Sequence, residues 1–202
     1  WQNIMEYVIE AFQKLISDVT GNREQTKKFF PLVVTIFLFV ILSNWLEIIP
    51  GLGTIGLKEY TDNKEIIVPF IRSSSSDLNV TLAIAIISVL SVQILGIASL
   101  GFFRYAGKFF VNPFKKPYFI GTFVGLLELV SEISKLISFS FRLFGNIFAG
   151  EVLLMVMLFL VPYIVPLPFL FLEIFVGFVQ ALVFSMLTLV FLKMGCTVHE
   201  EH

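Results

Sequence analysis

Arg142 is a permanently charged side chain in the middle of a largely apolar run, residues 136–151. The residues one helical turn away from it carry no carboxylate: Ser138, Phe139, Gly145 and Asn146. Because arginine does not deprotonate in proteins, a pKa shift cannot remove the cost of burying it, roughly 2.5 kcal/mol or more at the membrane centre. A water-filled cavity or a carboxylate on another element must offset this cost, which predicts a functional role. The alternative is an arginine that extends to the lipid interface or pairs with a helix only to fix packing.

Other polar side chains near Arg142 fall on two helix faces. At 100° per residue, Lys135, Arg142 and Asn146 lie within about 40° of one another. Glu151 is nine residues beyond Arg142 and therefore points to the opposite side. Arg142 and Glu151 are thus predicted to serve different surfaces of the same helix.

Carboxylates embedded in a membrane are commonly proton or ion sites, because burial favours the neutral form and lets the group load and release a proton near neutral pH. Glu173 and Gln180 are seven residues apart, so they share a face of the last helix about 10 Å apart along it. Glu132 and Lys135, at i and i+3, have either a functional role of this kind or a purely structural one as an ion pair within the helix. Gln180 could equally form a helix-to-helix hydrogen bond.

The composition is that of an integral membrane protein. Of 202 residues, 57% are hydrophobic and 14% are charged, whereas soluble domains are about a quarter charged. Mean hydropathy is +0.91. A net charge of −1 without a basic tail argues against a nucleic-acid partner. One cysteine and two histidines exclude a disulfide framework and argue against a zinc site, and we expect no metal or cofactor.

The N-terminal part predicts a surface helix and a first membrane span. Residues 1–20 carry apolar side chains at i, i+3, i+4 and i+7 spacing with charges between them, which is typical of an amphipathic helix. Such a helix lies on the membrane surface or against a partner helix. A polar turn over residues 21–28 then leads into an apolar span, residues 29–49, which Pro50 ends.

A second span follows a loop of mixed charge. The string over residues 51–56 matches GxGxxG, but it follows a span and opens no helix, so it indicates a turn. Residues 57–77 form the loop, Asp77 is placed to cap the next helix, and residues 78–103 make the second span. Basic residues flank both spans: Arg23, Lys27 and Lys28 before the first, and Arg104, Lys108, Lys115 and Lys116 after the second. These ends are therefore predicted to be cytoplasmic.

The C-terminal part predicts a slanted hairpin of two over-long helices. A continuous helix over residues 117–161 would be about 66 Å long, whereas the hydrocarbon core is about 30 Å thick. It must therefore be strongly tilted, or broken near the polar block at 128–135. A turn over 162–168 joins it to a last tilted helix, residues 169–195. The fold class is an all-α integral membrane protein with a single membrane domain over residues 1–202.

The run Ser140-Phe-Arg142-Leu-Phe-Gly-Asn-Ile-Phe-Ala-Gly-Glu151 closely resembles the signature of subunit a of F-type ATP synthases, the stator subunit facing the rotating ring of c subunits. Three further segments are similar to that family: Asn44-Trp-Leu-Glu-Ile-Ile-Pro50, Asp77-Leu-Asn-Val-Thr-Leu82 and Gln180-Ala-Leu-Val-Phe-Ser-Met-Leu-Thr188. Family members usually carry one more N-terminal span and the chain begins with Trp, so we expect that span to be missing here.

The resemblance implies roles for the polar residues. It makes Arg142 the stator arginine that faces the carboxylate of the c-ring. The outer proton half-channel is implied to be lined by Asn146, Glu151, Glu173 and Gln180. Candidates for the cytoplasmic half-channel are Glu128, Glu132 and Lys135. The family varies between His and Glu at positions 151 and 173, and both are Glu here, which bears on the pH at which the channel works best.

The implied function is rotary proton translocation. The sequence does not identify the source organism, and for the location we expect a bacterial plasma membrane rather than a thylakoid. Protons neutralise ring carboxylates through one half-channel and leave through the other, while the chain itself carries out no ATP chemistry. The implied partners are the c-ring, the peripheral-stalk b subunits, the lipid bilayer and protons. A secondary transporter would show inverted repeats with broken helices, and none is visible. A purely structural subunit would not place polar groups at mid-membrane on separate faces.

Overall fold

Five α-helices and one β-hairpin make up the described part of the chain. The computed structural model describes residues 2–49, 56–61, 64–69, 74–101, 105, 120–161 and 163–196. Its elements are α1 (Gln2–Thr20), α2 (Arg23–Ile48), β1 (Gly56–Thr61), β2 (Lys64–Pro69), α3 (Leu78–Leu100), α4 (Ile120–Leu160) and α5 (Pro166–Cys196). The four helices α2 to α5 are long and apolar enough to cross a membrane. The predicted all-α membrane architecture is confirmed, with the hairpin as an addition.

Helix α1 packs back along α2 in an antiparallel helical pair. The Phe12 ring lies 4.5 Å from the Phe37 ring, centroid to centroid. Nearer the connection, the hydroxyls of Thr20 and Thr26 are 2.7 Å apart. Of the two alternatives for this amphipathic helix, packing against a helix is therefore observed. Its position at a membrane surface stays a prediction.

The connection between α1 and α2 is shorter than the predicted polar turn. Only Gly21 and Asn22 lie outside helices, because the Asn22 side chain accepts a hydrogen bond from the backbone N–H of Glu24 at 3.0 Å and so caps α2. Gly21 adopts φ 68°, a left-handed conformation that glycine tolerates. The prediction of a turn through residue 28 was wrong, since the cap allows the charged residues to form the first helical turns.

The predicted loop before α3 contains regular structure. Strands β1 and β2 pair antiparallel, from Gly56 opposite Pro69 to Thr61 opposite Lys64. A short 3₁₀ turn, Ser74–Ser76, then contacts α2, α3 and α4. The sequence predicted the connection between the two spans but not this regular structure within it. Pro50 and most of the predicted turn at 51–56 lie outside the described residues.

Helix α3 begins and ends at identifiable signals. The Asp77 side chain accepts a hydrogen bond from the N–H of Asn79 at 2.8 Å, so the predicted cap is present. The helix stops at Leu100 rather than at Phe103 because Gly101 takes φ 84°, which an α-helix does not continue through. The basic residues predicted to follow the span, from Arg104 to Lys116, lie outside the described residues.

The two C-terminal helices form the predicted long hairpin. Helix α4 is unbroken over 41 residues, about 60 Å, so of the two alternatives only strong tilt remains, and that stays a prediction. Helix α5 starts at Pro166, three residues earlier than expected, because proline fits the first turn of a helix. It contacts α1, α2, α3 and α4, which makes it the central helix of the bundle. Residues 197–202 lie outside the described residues.

Candidate functional site

Asn146 and Gln180 join α4 to α5 near the middle of both helices. The Asn146 amide Nδ2 donates a hydrogen bond to Gln180 Oε1 at 2.8 Å. Gln180 is buried, which fits a position on the inner face of the central helix. The helix-to-helix hydrogen bond that the sequence allowed for Gln180 is thus observed. It fixes the alignment of the two helices at the level of Arg142, one turn away on α4.

Arg142 lies on the outside of the bundle. Its side chain is exposed, and Nη2 donates a long hydrogen bond of 3.5 Å to Ser138 Oγ on the preceding turn. Among the residues that the structure describes, no carboxylate forms a salt bridge with it. The guanidinium therefore projects from a membrane-spanning helix toward whatever surrounds this chain. The counter-charge predicted from sequence is not supplied by the described part of the chain.

Glu173 is a buried carboxyl on the inner face of α5. Only 7% of the residue is exposed, and neither carboxyl oxygen has a hydrogen-bond partner within the described ranges. Its carboxyl packs directly against Gly150 of α4, where an added Cβ would lie 2.6 Å from Oε1. Glu151 is the next residue of α4 after Gly150. Two predicted site residues, Glu151 and Glu173, are thus brought together.

Asn44 is a further polar residue of this region. The sequence pointed to it only as the first residue of segment 44–50, which is similar to the family named above. It is 1% exposed, and its Nδ2 donates to the carbonyl of Gly177, on α5 between Glu173 and Gln180, at 3.2 Å. The neighbouring Trp45 Nε1 donates to the carbonyl of Ile174 at 3.2 Å. A polar side chain inside an otherwise apolar span is itself a functional signal, and it could have identified Asn44.

Unsatisfied polar atoms follow one face of α5 over about 10 Å. Within the described chain, buried side-chain atoms without a hydrogen-bond partner include Asn44 Oδ1, both Glu173 oxygens and Gln180 Nε2. Buried polar atoms normally find a partner in protein or water, since leaving them unpaired costs free energy. This line of atoms is therefore a place where water molecules would be held.

A second polar cluster lies toward the other end of α4. Lys135 Nζ forms a salt bridge with Glu132 Oε1 at 2.7 Å and lies 4.7 Å from the centre of the Phe191 ring. The ion pair that the sequence allowed is thus present. Glu132 Oε2 is buried without a hydrogen-bond partner among the described residues, so the pair does not use up its acceptor capacity. Glu128 lies one turn earlier on the same helix.

Tyr105 belongs to this second cluster and was missed by sequence reasoning. Its hydroxyl donates to Gln93 Oε1 on α3, and its ring fills the space over Gly96. Burial raises the pKa of Tyr105 to about 12, and the charges of Glu132 and Glu128 add to the rise. The phenol therefore stays neutral at physiological pH. Tyr105 lies beyond the end of α3, where no helical periodicity pointed to it.

Comparison with known proteins gives one consistent result. The family described as ATP synthase A chain matches residues 1–193. The protein "ATP synthase subunit a" of Campylobacter jejuni subsp. jejuni serotype O:23/36 (strain 81-176) is 37% identical over 200 residues, covering 99% of this chain and 78% of that protein. Those of a Nitratiruptor species and of Campylobacter fetus subsp. fetus (strain 82-40) are 36% and 35% identical, covering 99% and 100% of this chain and 78% and 79% of those proteins.

Proposed function

The chain belongs to the ATP synthase A chain family, and on that premise we propose that it is the proton-translocating stator subunit of an F-type ATP synthase. As a subunit of that multi-subunit complex it carries out no ATP chemistry itself. Its partners would be the c-ring, the peripheral-stalk b subunits and the lipid of a bacterial plasma membrane. Four helices able to cross a membrane, and relatives from Campylobacter, support that location.

The observation that carries this proposal is the exposed guanidinium of Arg142. An arginine on the lipid-facing side of a membrane helix is costly unless a carboxylate meets it. The described part of this chain supplies none, which supports a carboxylate on a partner as the group that meets Arg142. A carboxylate on a c subunit would pass Arg142, be held ionised by its fixed positive charge and then be released to take up a proton.

The outer half-channel would run along the face shared by Glu173 and Gln180. Support comes from the line of unsatisfied polar atoms on this face, and from the hydrogen bond between Asn146 and Gln180 that leads toward Arg142. Glu151 is the residue after Gly150, which the Glu173 carboxyl contacts, and it would belong to the same path. Protons entering here would reach the ring carboxylate on one side of Arg142.

The cytoplasmic half-channel would use Glu128, Glu132 and Lys135. On α4, Glu132 is ten residues before Arg142 and Gly150 is eight residues after it, about 15 Å and 12 Å along the helix. The two polar clusters are therefore separated by roughly 27 Å with the arginine between them. Protons would not pass directly from one cluster to the other, because the fixed charge of Arg142 between them repels a proton. They would cross only by moving with the ring.

Replacement of Arg142 tests the proposal. Arg142→Ala should abolish ATP synthesis and ATP-driven proton pumping while the assembled complex is still recovered. Arg142→Lys should rescue poorly, because a compact ammonium does not reproduce the planar guanidinium. Pumping is measured by fluorescence quenching in inverted membrane vesicles.

Ser138→Ala is the matched control, since it removes the one side-chain hydrogen bond of Arg142 within the described chain and leaves the charge in place. It should keep most of the pumping activity. Normal ATP synthesis by Arg142→Ala would rule out the proposed rotary role.

A further inference from the structure

A charged groove lies between α1 and the start of α2, away from the proton path. The cavity has a volume of about 460 Å³ and is open on one side. Its walls include Glu10, Lys14 and Ser17 from α1, and Arg23, Lys27 and Phe30 from α2. None of these residues belongs to the candidate half-channels, so the proposed function leaves the groove unexplained.

The groove is built by two facing helical stripes. Glu10, Lys14 and Ser17 follow one another at i, i+4 and i+7 on α1, and the three α2 residues repeat that spacing. Antiparallel packing, fixed by the Thr20–Thr26 hydrogen bond, turns the stripes toward each other. Three cations therefore meet one carboxylate, and in the described chain no salt bridge joins Glu10 to any of them.

The α2 wall of the groove lies at the start of a helix that is long and apolar enough to cross a membrane. The apolar stretch of α2 begins at Phe29 and Phe30, immediately beyond Lys27 and Lys28. Leu15 of α1 is 43% exposed beside Lys14, so apolar surface adjoins the cations. Basic pockets between helices on the cytoplasmic side of a membrane are suited to anionic lipid headgroups. A soluble anion would make no use of the apolar part.

We propose that this groove binds the phosphate headgroup of an anionic phospholipid, with Lys14, Arg23 and Lys27 holding the phosphate oxygens. Arginine contacts a phosphate through two parallel N–H donors, and lysine contributes a point charge. The acyl chains lie along the exposed apolar side chains of α1. The bound lipid thereby ties α1 to the membrane at the entrance of α2.

The assembled complex, purified in detergent and exchanged into nanodiscs, provides the test. One set of discs contains phosphatidylcholine with phosphatidylglycerol, and the other contains phosphatidylcholine alone. The complex is then transferred back to detergent, and native mass spectrometry counts the lipid molecules that it retains. The wild type should retain phosphatidylglycerol in preference to phosphatidylcholine. Arg23→Gln with Lys27→Gln should weaken retention about 25-fold, since each cation near a membrane surface is worth roughly fivefold in affinity.

Lys28→Gln is the matched control, because Lys28 is adjacent in sequence but donates to Ser99 of α3 and does not line the groove. It should retain lipid like the wild type. Equal retention by the double variant, or no preference for phosphatidylglycerol, would overturn the proposal. Displacement of the lipid by millimolar inorganic phosphate would show a free-phosphate site instead. The assay measures no proton flux, so its outcome is independent of the role of Arg142.

Discussion

The carboxyl of Glu173 is accommodated because the facing residue of α4 has no side chain. Gly150 allows Glu173 to approach the α4 backbone, and Glu151 follows immediately. A larger residue at 150 would occupy the volume that the carboxyl now fills. Position 150 thus determines how the acid is held, although glycine itself carries no chemistry.

Gly150→Ala should slow proton flux while leaving the fold intact. The added Cβ would lie 2.6 Å from Glu173 Oε1, so the carboxyl must move away from its present position. Alanine in a helix is favoured over glycine by about 1 kcal/mol, so helix stability should not fall. Passive proton conductance of stripped membranes measures the flux, and thermal unfolding in detergent measures stability.

The double variant Gly150→Ala, Glu173→Asp serves as the control for crowding. Aspartate is one methylene shorter and leaves room for the alanine, so flux should recover in part relative to Gly150→Ala alone. If Gly150→Ala conducts normally, the contact between Gly150 and Glu173 has no role in proton transfer.

For single residues, the sequence indicates which polar side chains are candidates but not which partners they contact. Asn146 and Gln180 were each singled out, and the bond between them depends on the relative shift of α4 and α5, which periodicity does not define. The sequence does not predict the burial of Tyr105, because a tyrosine beyond a span is usually found at the interface between lipid and water. Its burial depends on the small residue Gly96 of α3, a tertiary feature.

Helices α3 and α5 are joined by a hydroxyl pair and by close backbone approach. Ser88 Oγ and Thr188 Oγ1 are 2.8 Å apart, and both residues are fully buried. Nearer the C-terminal ends, a Cβ on Gly96 would lie 3.2 Å from the carbonyl oxygen of Gly195. Small residues and interhelical hydrogen bonds are the usual means of helix association in lipid, where burial of apolar surface gives no driving force.

The hydroxyl pair should contribute a modest, measurable coupling. In a double-mutant cycle with Ser88→Ala and Thr188→Val, we expect a coupling free energy of about 0.6 kcal/mol, the average for such bonds in membrane proteins. Thermal or denaturant unfolding in detergent provides the measurement. Ser91→Ala is the control, because Ser91 is accessible and, within the described residues, its hydroxyl donates only to the Ile87 carbonyl of its own helix. A zero coupling would mean that packing alone holds α3 to α5.

Helix existence was predictable, whereas several boundaries depended on local details. Span length and hydropathy identify α2 to α5, because about 20 apolar residues have few alternatives. The start of α2 at Arg23 depends on the Asn22 cap, whereas the polar composition of residues 21–28 predicts a turn. The hairpin was not predicted, because its mixed charge indicates only a connection between spans. Its second strand does contain Ile66, Ile67 and Val68, which are residues favoured in strands.

Over the whole molecule, two polar clusters lie at different heights on α4, with Arg142 between them. One contains Glu173 and its neighbours on α5, near the turn between the last two helices. The other contains Glu132, Lys135 and Tyr105, near the C-terminal ends of α3 and α5. If these are the two half-channels, each should be accessible to water from one side of the membrane only.

Cysteine labelling should show this sidedness. In a background with Cys196→Ser, Glu173→Cys should react with a small membrane-impermeant thiol reagent added from outside, and Glu132→Cys only from the cytoplasmic side. Tyr163→Cys is the positive control for the outside, since Tyr163 is 86% exposed in the turn before α5. Labelling of Glu173→Cys from the cytoplasm, or from neither side, would contradict the assigned outer path.

Helix α4 is the least covered of the four spans. Only 11% of its apolar stretch is buried, compared with 39–44% for the others, and Arg142 projects from the same helix. A newly inserted copy that has not met its ring therefore exposes an uncompensated charge to lipid. Such a copy bears the cost of that charge without a partner group to offset it. Biogenesis in which the ring is present first would offset this cost as soon as the chain is inserted.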